Sequence, residues 1–351
     1  MDFDKLKRCG IDYALWEITA NCNFSCLHCR ASATPDSPRS DAIVGDKALR
    51  LIKSLSNLNT KTLVFTGGEP LLRNDVEDLV SFATSLGIRC RIQSNGSLLD
   101  EQRLRKLRDA GLFSFGIGLD SPYAKHHDKI RNRTGSYSEA ICAIGLIKKN
   151  NMACHVETTL TKDNLGHLGE LLTLVDSLNV DTLLLRAALP SGRASATSES
   201  LVLSKHEYKD AMINIGLLSK KYPNLLVNSQ DPLYCISDPE LLERILAISK
   251  ANKKKVISGC TMGLNTLHIR STGLVGACTF ISDITIGDLN HQSLEEIWDT
   301  RFNNTILADC ISRNLKGKCK ICKNRFICGG CRARALGFND DIYANDPYCW
   351  L

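Results

Sequence analysis

Residues 14–29 read Ala14-Leu15-Trp16-Glu17-Ile18-Thr19-Ala20-Asn21-Cys22-Asn23-Phe24-Ser25-Cys26-Leu27-His28-Cys29. The run Ala14–Thr19 reads as a strand, and it feeds directly into a loop with the spacing C-x3-C-x2-C. That spacing puts three thiolates on one short segment, close enough to grip a single cluster. A [4Fe–4S] cluster takes four cysteine ligands, and this loop supplies three. One iron is thereby left open to something other than protein. A zinc site completed by His28 or a distant residue competes with this reading, as does a set of ordinary buried thiols. His28 adds little to zinc, because it abuts Cys29 and would strain to reach the same ion.

Downstream of the loop, short apolar runs alternate with helical patterns. Lys61–Thr66, Arg89–Gln93, Phe113–Leu119, Ala153–Leu160 and Thr182–Leu185 read as buried strands. Between them, Asp46–Leu58, Asp75–Leu86, Asp100–Ala110, Ser138–Lys149 and Leu168–Leu178 read as helices. Asp75 and Asp100 stand at N-cap positions, and Gly87 and Gly111 stand where helices stop. With the first strand this makes six β/α units in an α/β parallel-sheet fold, two short of a closed eight-fold barrel. Ligands in such folds bind at the carboxyl ends of the strands.

Chemistry-bearing residues fall at those ends. The cysteine loop follows the first strand, Thr66-Gly67-Gly68-Glu69-Pro70 the second, Gln93-Ser94-Asn95-Gly96 the third and Asp120-Ser121 the fourth. The glycines allow close backbone approach to a ligand, and Glu69 is placed to hold a cation. Each stretch alone is an ordinary turn. Together on one rim they predict a cluster beside a small polar molecule.

Composition narrows the class. The 351 residues are 43% hydrophobic and 23% charged, with a net charge of +6, as in a globular protein of one large or two moderate domains. Lys253-Lys254-Lys255 is the one tight basic run and reads as a solvated helix end. No basic face with interleaved aromatics points to nucleic acid. No signal peptide and no membrane-length apolar run is evident, so a cytoplasmic enzyme is expected. Sixteen cysteines in such a chain should be reduced, and clustered ones read as metal ligands. Cys9, Cys90, Cys142, Cys154, Cys235 and Cys310 are scattered and read mostly as inert buried thiols.

The cysteine loop and Thr66-Gly67-Gly68-Glu69-Pro70, in this order and spacing, resemble the radical S-adenosylmethionine (SAM) enzymes over roughly residues 12–195. His28 takes a position that is usually aromatic in that family. The resemblance implies a partial (β/α)6 TIM-like barrel whose cluster is held by Cys22, Cys26 and Cys29, with SAM chelated at the open iron. Reductive cleavage of SAM would yield a 5′-deoxyadenosyl radical that abstracts substrate hydrogen. Gly67, Gly68, Glu69 and Pro70 match the motif that contacts the SAM amino group. Ser94, Asn95 and Asp120 match positions that often contact its ribose or carboxylate, and Arg186 is a weaker SAM candidate. An electron donor such as flavodoxin or ferredoxin is implied.

The C-terminal third carries Cys260-x12-Gly273-x4-Cys278, then Cys319-x2-Cys322-x5-Cys328-x2-Cys331, then Cys349. A zinc ribbon separates its two C-x2-C knuckles by a dozen residues or more, and five between Cys322 and Cys328 are too few. The pattern looks like the SPASM extension of radical SAM enzymes, which binds auxiliary [4Fe–4S] clusters. By that resemblance Cys319, Cys322, Cys328 and Cys349 hold one cluster, and Cys260, Cys278 and Cys331 contribute to the other. Two departures stand out. The last pair is C-x2-C where C-x3-C is usual, and Asn265 and Thr266 stand where a fourth ligand after Cys260 is expected. Cys310 or Cys235 could substitute, that cluster could keep an open iron, or it could be absent. The expected organisation is a barrel at 1–200, a mostly helical linker at 201–255 broken by Pro223, Pro232 and Pro239, and a small cysteine-rich SPASM domain at 256–351.

Auxiliary clusters move electrons, with potentials set by ligands, hydrogen bonds and exposure. The segments Trp16-Glu17-Ile18-Thr19, Cys328-Gly329-Gly330-Cys331-Arg332-Ala333-Arg334-Ala335 and Asp346-Pro347-Tyr348-Cys349 look like the subgroup that remodels haem precursors. The expected reaction is decarboxylation or side-chain removal on didecarboxysirohaem or iron-coproporphyrin. Arg186, Arg193, Arg332 and Arg334 would then pair with tetrapyrrole carboxylates, unless they are merely solvated. Only 21 residues precede Cys22, too few for the peptide-recognition domain of many peptide-modifying members. The same segments also occur in ribosomal-peptide maturases lacking that domain. Peptide maturation, a carbohydrate or antibiotic intermediate as substrate, and a non-catalytic iron–sulfur or zinc protein stay open.

Overall fold

The computed structural model describes residues 9–37, 43–237, 239–251 and 259–351. Lys253-Lys254-Lys255 and the expected 255/256 boundary lie outside the described residues. The strands are β1 (Tyr13–Thr19), β2 (Thr62–Gly67), β3 (Arg89–Ser94), β4 (Ser114–Gly118), β5 (Ala153–Leu160), β6 (Thr182–Ala187), β7 (Leu226–Ser229), β8 (Thr266–Ile269), β9 (Leu274–Gly276) and β10 (Thr285–Asp288). They form one sheet in the order β10-β9-β8-β1-β2-β3-β4-β5-β6-β7. β1 to β6 are parallel, as six β/α units require.

The parallel part is wider than the sequence suggests. β7 adds in parallel to β6, and β8 adds in parallel to the other side of β1. Each is only four residues long, too short to stand out as an apolar run. Their placement also joins the expected domains. β7 lies in the stretch expected to be helical linker, and β8 to β10 belong to the C-terminal unit, yet all share one hydrogen-bonded sheet. The rest of the linker is helical at Lys205–Ser219 and Pro239–Ala251, with Pro239 starting a helix.

Alternation along each strand sorts residues between two faces. On β1, Ala14, Trp16 and Ile18 are buried in the apolar core, whereas Tyr13 and Leu15 line a central cavity. On β3, Cys90 and Ile92 go to the core, and Arg91 and Gln93 to the cavity. β5 sends Cys154 and Val156 one way, and His155, Glu157 and Thr159 the other. Because β1 to β6 and β8 all contribute to one cavity, the sheet curls into an incomplete barrel with a polar lumen.

Helices cover the outer face through amphipathic stripes. Helix Asp46–Asn57 buries Ala48, Leu51, Ile52 and Leu55 at i, i+3, i+4 and i+7. Asp100 caps Glu101–Asp109, accepting from Arg103 N at 2.7 Å. Asp75 makes no such cap bond, because Arg73 takes its carboxylate at 2.6 Å. Helix Ala124–Arg131 has no counterpart in the sequence reading, since Ile130 is its one buried apolar residue, beside the buried His127. It supplies side chains that pack under the cysteine loop.

Candidate active site

A cavity of about 560 Å³ occupies the lumen and its carboxyl-end mouth. Cys22, Cys26 and Cys29 line it on one side, and Cys260, Cys278 and Cys331 line it from the C-terminal unit. Of the residues expected to hold SAM, Gly67, Gly68, Glu69, Ser94, Asn95 and Arg186 line the same space. Pro70 and Asp120 lie elsewhere. Pro70 opens a buried 3-10 turn, Pro70–Leu72, capped by Glu69.

Asp120 is fully buried beneath the cysteine loop and is held by cations. Its Oδ2 lies 2.8 Å from His28 Nε2 and 2.7 Å from Arg131 Nε, and its Oδ1 accepts from Thr159 N at 2.9 Å. Burial would raise this carboxyl, but Arg131 and His28 win and drive it far below the usual range. Asp120 is 0% exposed and does not line the cavity, so it is out of reach of a ribose bound there. It instead anchors His28, between Leu27 and Cys29, and Arg131, whose guanidinium hydrogen-bonds to Cys26. From the opposite side Arg193 donates to the carbonyls of Cys26 and Ala33, and its backbone N donates to Cys29 O at 3.0 Å. Arg193 is thus a clamp on the loop and not a free cation.

The Gly67-Gly68-Glu69 segment is stitched to the same loop. Gly68 N donates to Thr19 O and Glu69 N to Asn21 O, both at 2.8 Å. A Cβ at Gly68 would sit 1.9 Å from Asn21 O, and one at Gly67 2.3 Å from Thr19 O. The glycines are required by the approach of backbone to backbone, a reason the sequence did not disclose. Glu69, 1% exposed, accepts from Leu71 N, Ser94 Oγ and Asn95 N at 3.0, 2.8 and 2.8 Å. Burial pushes its carboxyl upward against these donors. A carboxylate offers about four acceptor positions, so capacity for one further donor remains at the cavity.

A second ionic cluster joins the two units. Glu17, on β1, takes Arg30 Nη1 at 2.6 Å and lies 3.0 Å from His268 Nε2, on β8. Burial opposes its charge, yet Arg30 and His268 hold it down at about 2. Arg30 follows Cys29 directly, and its guanidinium also reaches Thr279 O, next to Cys278. Deeper in the lumen, Arg91 contacts His155 at 2.7 Å and leaves its Nε without a partner. Burial and Arg91 together hold His155 down at about 3, hence neutral. Arg186 lies over the Phe280 ring and donates to Gln230 at 2.6 Å.

The remaining cysteines gather around another cavity, of about 410 Å³, lined by Cys319, Cys322, Cys328 and Cys349 together with Gly329, Gly330 and Asp346. The spare thiols stand behind these walls. Cys235 neighbours Cys328, Cys310 neighbours Cys260, and neither lines either of these two cavities. Arg334 is fully buried between Asp231 (2.8 Å) and Asp346 (2.7 Å), which leaves it no part in substrate binding. Arg332 is 1% exposed and donates to the Ile342 and Ala344 carbonyls. Of the four arginines expected to meet carboxylates, Arg186 and Arg332 line the first cavity, and Arg193 and Arg334 do not.

Residues 16–175 match the radical SAM superfamily, and residues 260–324 match SPASM, an iron–sulfur cluster-binding domain. The chain is a radical SAM enzyme with a SPASM extension. Across 95% of its length it is 28% identical to an AdoMet-dependent heme synthase of Nitratidesulfovibrio vulgaris, covering 90% of that protein. It is 25% identical to a PqqA peptide cyclase of Rhodopseudomonas palustris over 97% of this chain and 88% of that one. The SAM-bound crystal structure of Streptococcus suis SuiB shares the fold, with a TM-score of 0.75 at 16% identity over 99% of this chain and 80% of that one.

The cofactors of this radical SAM enzyme are S-adenosylmethionine and [4Fe–4S] clusters, and the donor set suits them. Burial pushes the Cys22 thiol up to about 12 and raises Cys26 as well. Thiolates in this pocket need a cation beside them, which cluster iron supplies. Arg131 and Arg30 are the neighbours that sequence reasoning missed, and Arg193 and Glu17, named there, take roles at the loop that it did not assign. They lie far apart in sequence and carry no motif of their own. Among the described residues no helix is long and apolar enough to cross a membrane.

Proposed function

We propose that this radical SAM enzyme acts on a carboxylate-bearing tetrapyrrole of the haem-precursor class, by decarboxylation or side-chain removal. The observation that carries the reading is the shared cavity. The Cys22/Cys26/Cys29 loop, the Gly67-Gly68-Glu69 strand end, the Cys260/Cys278/Cys331 wall and two lumen arginines all face it. SAM and its cluster, when bound, supply a 5′-deoxyadenosyl radical that takes a hydrogen atom from the substrate.

In this reading Cys22, Cys26 and Cys29 hold the cluster at which SAM binds. Glu69 accepts the SAM ammonium with its remaining acceptor position, while Gly67, Gly68, Ser94 and Asn95 shape the pocket. Arg186 and Arg91 pair with substrate carboxylates, since guanidinium meets carboxylate through two parallel hydrogen bonds. Cys260, Cys278 and Cys331 hold one auxiliary cluster beside the substrate, and Cys319, Cys322, Cys328 and Cys349 hold another beyond it. The barrel at 1–200, the linker at 201–255 and the auxiliary unit at 256–351 then divide the work. The enzyme is placed in the cytoplasm and takes electrons from a flavodoxin or ferredoxin. Identity to the heme synthase relative supports the tetrapyrrole over a peptide.

The test is anaerobic titration with iron-coproporphyrin and with didecarboxysirohaem, read from their absorbance, followed by turnover with SAM and dithionite. Micromolar binding, deoxyadenosine formation and loss of carboxyl mass from the tetrapyrrole are expected. Arg91→Met and Arg186→Met should each weaken binding about tenfold, roughly 1.4 kcal/mol. Absence of tetrapyrrole binding, with turnover only on a peptide, would replace this substrate assignment.

A further inference from the structure

Among the described residues of the C-terminal unit, Arg332 and Arg313 are buried with no carboxylate at ion-pairing distance. Arg332 is 1% and Arg313 4% exposed. Arg332 gives Nη1 to the carbonyls of Ile342 and Ala344, both at 2.8 Å, and directs Nη2 at Cys319 Sγ, 4.0 Å away. Arg313 donates to Cys310 O at 3.0 Å and to Cys260 O at 2.8 Å. The Nε of each has no partner. Among the described residues neither guanidinium has an acidic side chain at ion-pairing distance. Arg334, two positions from Arg332, is the internal control. It is equally buried and holds two aspartates.

A buried charge costs several kcal/mol unless an opposite charge compensates it. Cysteines lie close to both: Cys319 Sγ beside Arg332, and the Cys260 and Cys310 carbonyls on Arg313. The backbone is shaped to admit both cations next to the turn that connects the two cysteine sets. Gly329 and Gly330 take φ of +70° and +61° between Cys328 and Cys331. A Cβ on Gly329 would meet Arg313 Cζ at 2.3 Å, and one on Gly330 would meet Arg332 Nη2 at 2.6 Å. The shortened Cys328-Gly329-Gly330-Cys331 spacing thus has a physical correlate: two guanidinium groups lie where side chains would otherwise project.

We propose that Arg332 and Arg313 are the counter-cations of the two auxiliary clusters, a cationic partition that raises their reduction potentials. The proposal rests on the cluster-ligand reading above. A [4Fe–4S] cluster with four thiolate ligands is anionic and gains a further negative charge on reduction. A fixed cation therefore stabilises the reduced state more than the oxidised one. Arg332 hydrogen-bonds to a sulfur of the Cys319/Cys322/Cys328/Cys349 cluster, and that cluster feels it most. Arg313 backs the Cys260 side of the other. Both are tuning residues, acting through the clusters without touching substrate.

The experiment is a redox titration of the anaerobically reconstituted full-length enzyme, followed by electron paramagnetic resonance, with iron counted per chain. Arg332→Met should keep the parent's iron and lower the potential of one auxiliary cluster. The expected change is at least tenfold in its reduction equilibrium, about 59 mV for one electron. Arg332→Lys, which keeps the charge, should restore most of that shift, and Arg313→Met should move the other auxiliary cluster. Unchanged potentials with full iron would overturn the proposal alone. Equal iron loss in Arg332→Met and Arg332→Lys would also overturn it, by making the residue a packing element. A parent protein showing no auxiliary cluster signal would instead overturn the ligand reading, and this proposal with it.

Discussion

Cys22, Cys26 and Cys29 lie in one loop, whereas the C-terminal cysteines are spread from Cys260 to Cys349. Around the first set, two of the three arginines are answered by a carboxylate. Arg131 and His28 meet Asp120, Arg30 meets Glu17, and Arg193 meets backbone carbonyls. Around the second, Arg334 is answered by two aspartates, while Arg313 and Arg332 have only carbonyls and sulfur. The first site is a cradle braced by two ion-paired carboxylates and by Arg193 on the loop carbonyls, with a cavity on one side. The second leaves net positive charge among its cysteines. On the function proposed above, the first set would hold a ligand-binding cluster in place and the second would tune an electron-transfer cluster, and the two arrangements suit those different demands.

The largest effect expected on this contrast comes from Cys26→Ala. It should abolish deoxyadenosine formation under dithionite while auxiliary iron is retained; continued SAM cleavage would show that the triplet is not the SAM cluster. Asp120→Asn comes next, because it strands Arg131 without its anion in the interior. Breaking such a buried pair costs about 3–5 kcal/mol. The melting temperature should fall, and iron should leave the first site before the auxiliary ones on chelator challenge. Equal loss from both regions would erase the distinction between them.

A pH effect of about 3 kcal/mol or more tests the lumen beneath the first site. His155 is neutral in the fold, held down at about 3, while the unfolded chain titrates near 6.5. Below about pH 6.5 the unfolded state takes up a proton that the folded state refuses. Stability is therefore fully present above that pH and is lost progressively toward pH 3, by at most about 1.4 kcal/mol per pH unit. Melting curves of His155→Gln should fall less steeply over this window than the parent's. The smallest effect is expected of Arg193→Met, about 2 kcal/mol from lost charge-assisted hydrogen bonds to the loop carbonyls. Faster chelation of the first cluster, with auxiliary iron unaffected, is the outcome that sharpens the comparison.

Apolar periodicity made much of the barrel legible. Ala153–Leu160 is observed over the full stretch read from sequence, and the helices read at Asp46, Asp100 and Leu168 differ from the observed ones by a residue or so at their ends. Such segments repeat one pattern over enough residues to outweigh local exceptions. β7 and β8 were invisible because four-residue strands carry no period of their own. They become strands only through the edges that β6 and β1 offer. Helix Ala124–Arg131 was missed for a related reason, since of its two buried residues, His127 and Ile130, only one is apolar and no apolar stripe forms.

For the site, sequence alone determined the chemical types and their order. Three cysteines on a loop, a Gly-Gly-Glu-Pro turn after the next strand and a cysteine-rich C-terminal third are local facts, written in spacings of a few residues. Tertiary structure decided which groups remain free to act. Asp120 is consumed by Arg131 and His28, Arg193 by the loop it clamps and Arg334 by two aspartates, while Arg91, and Arg186 at 3.5 Å from Glu157, keep a face in the cavity. A side chain's identity is fixed by its position in the chain. Whether its charge is spent or available depends on partners tens to hundreds of residues away, which only the folded chain brings within hydrogen-bonding distance.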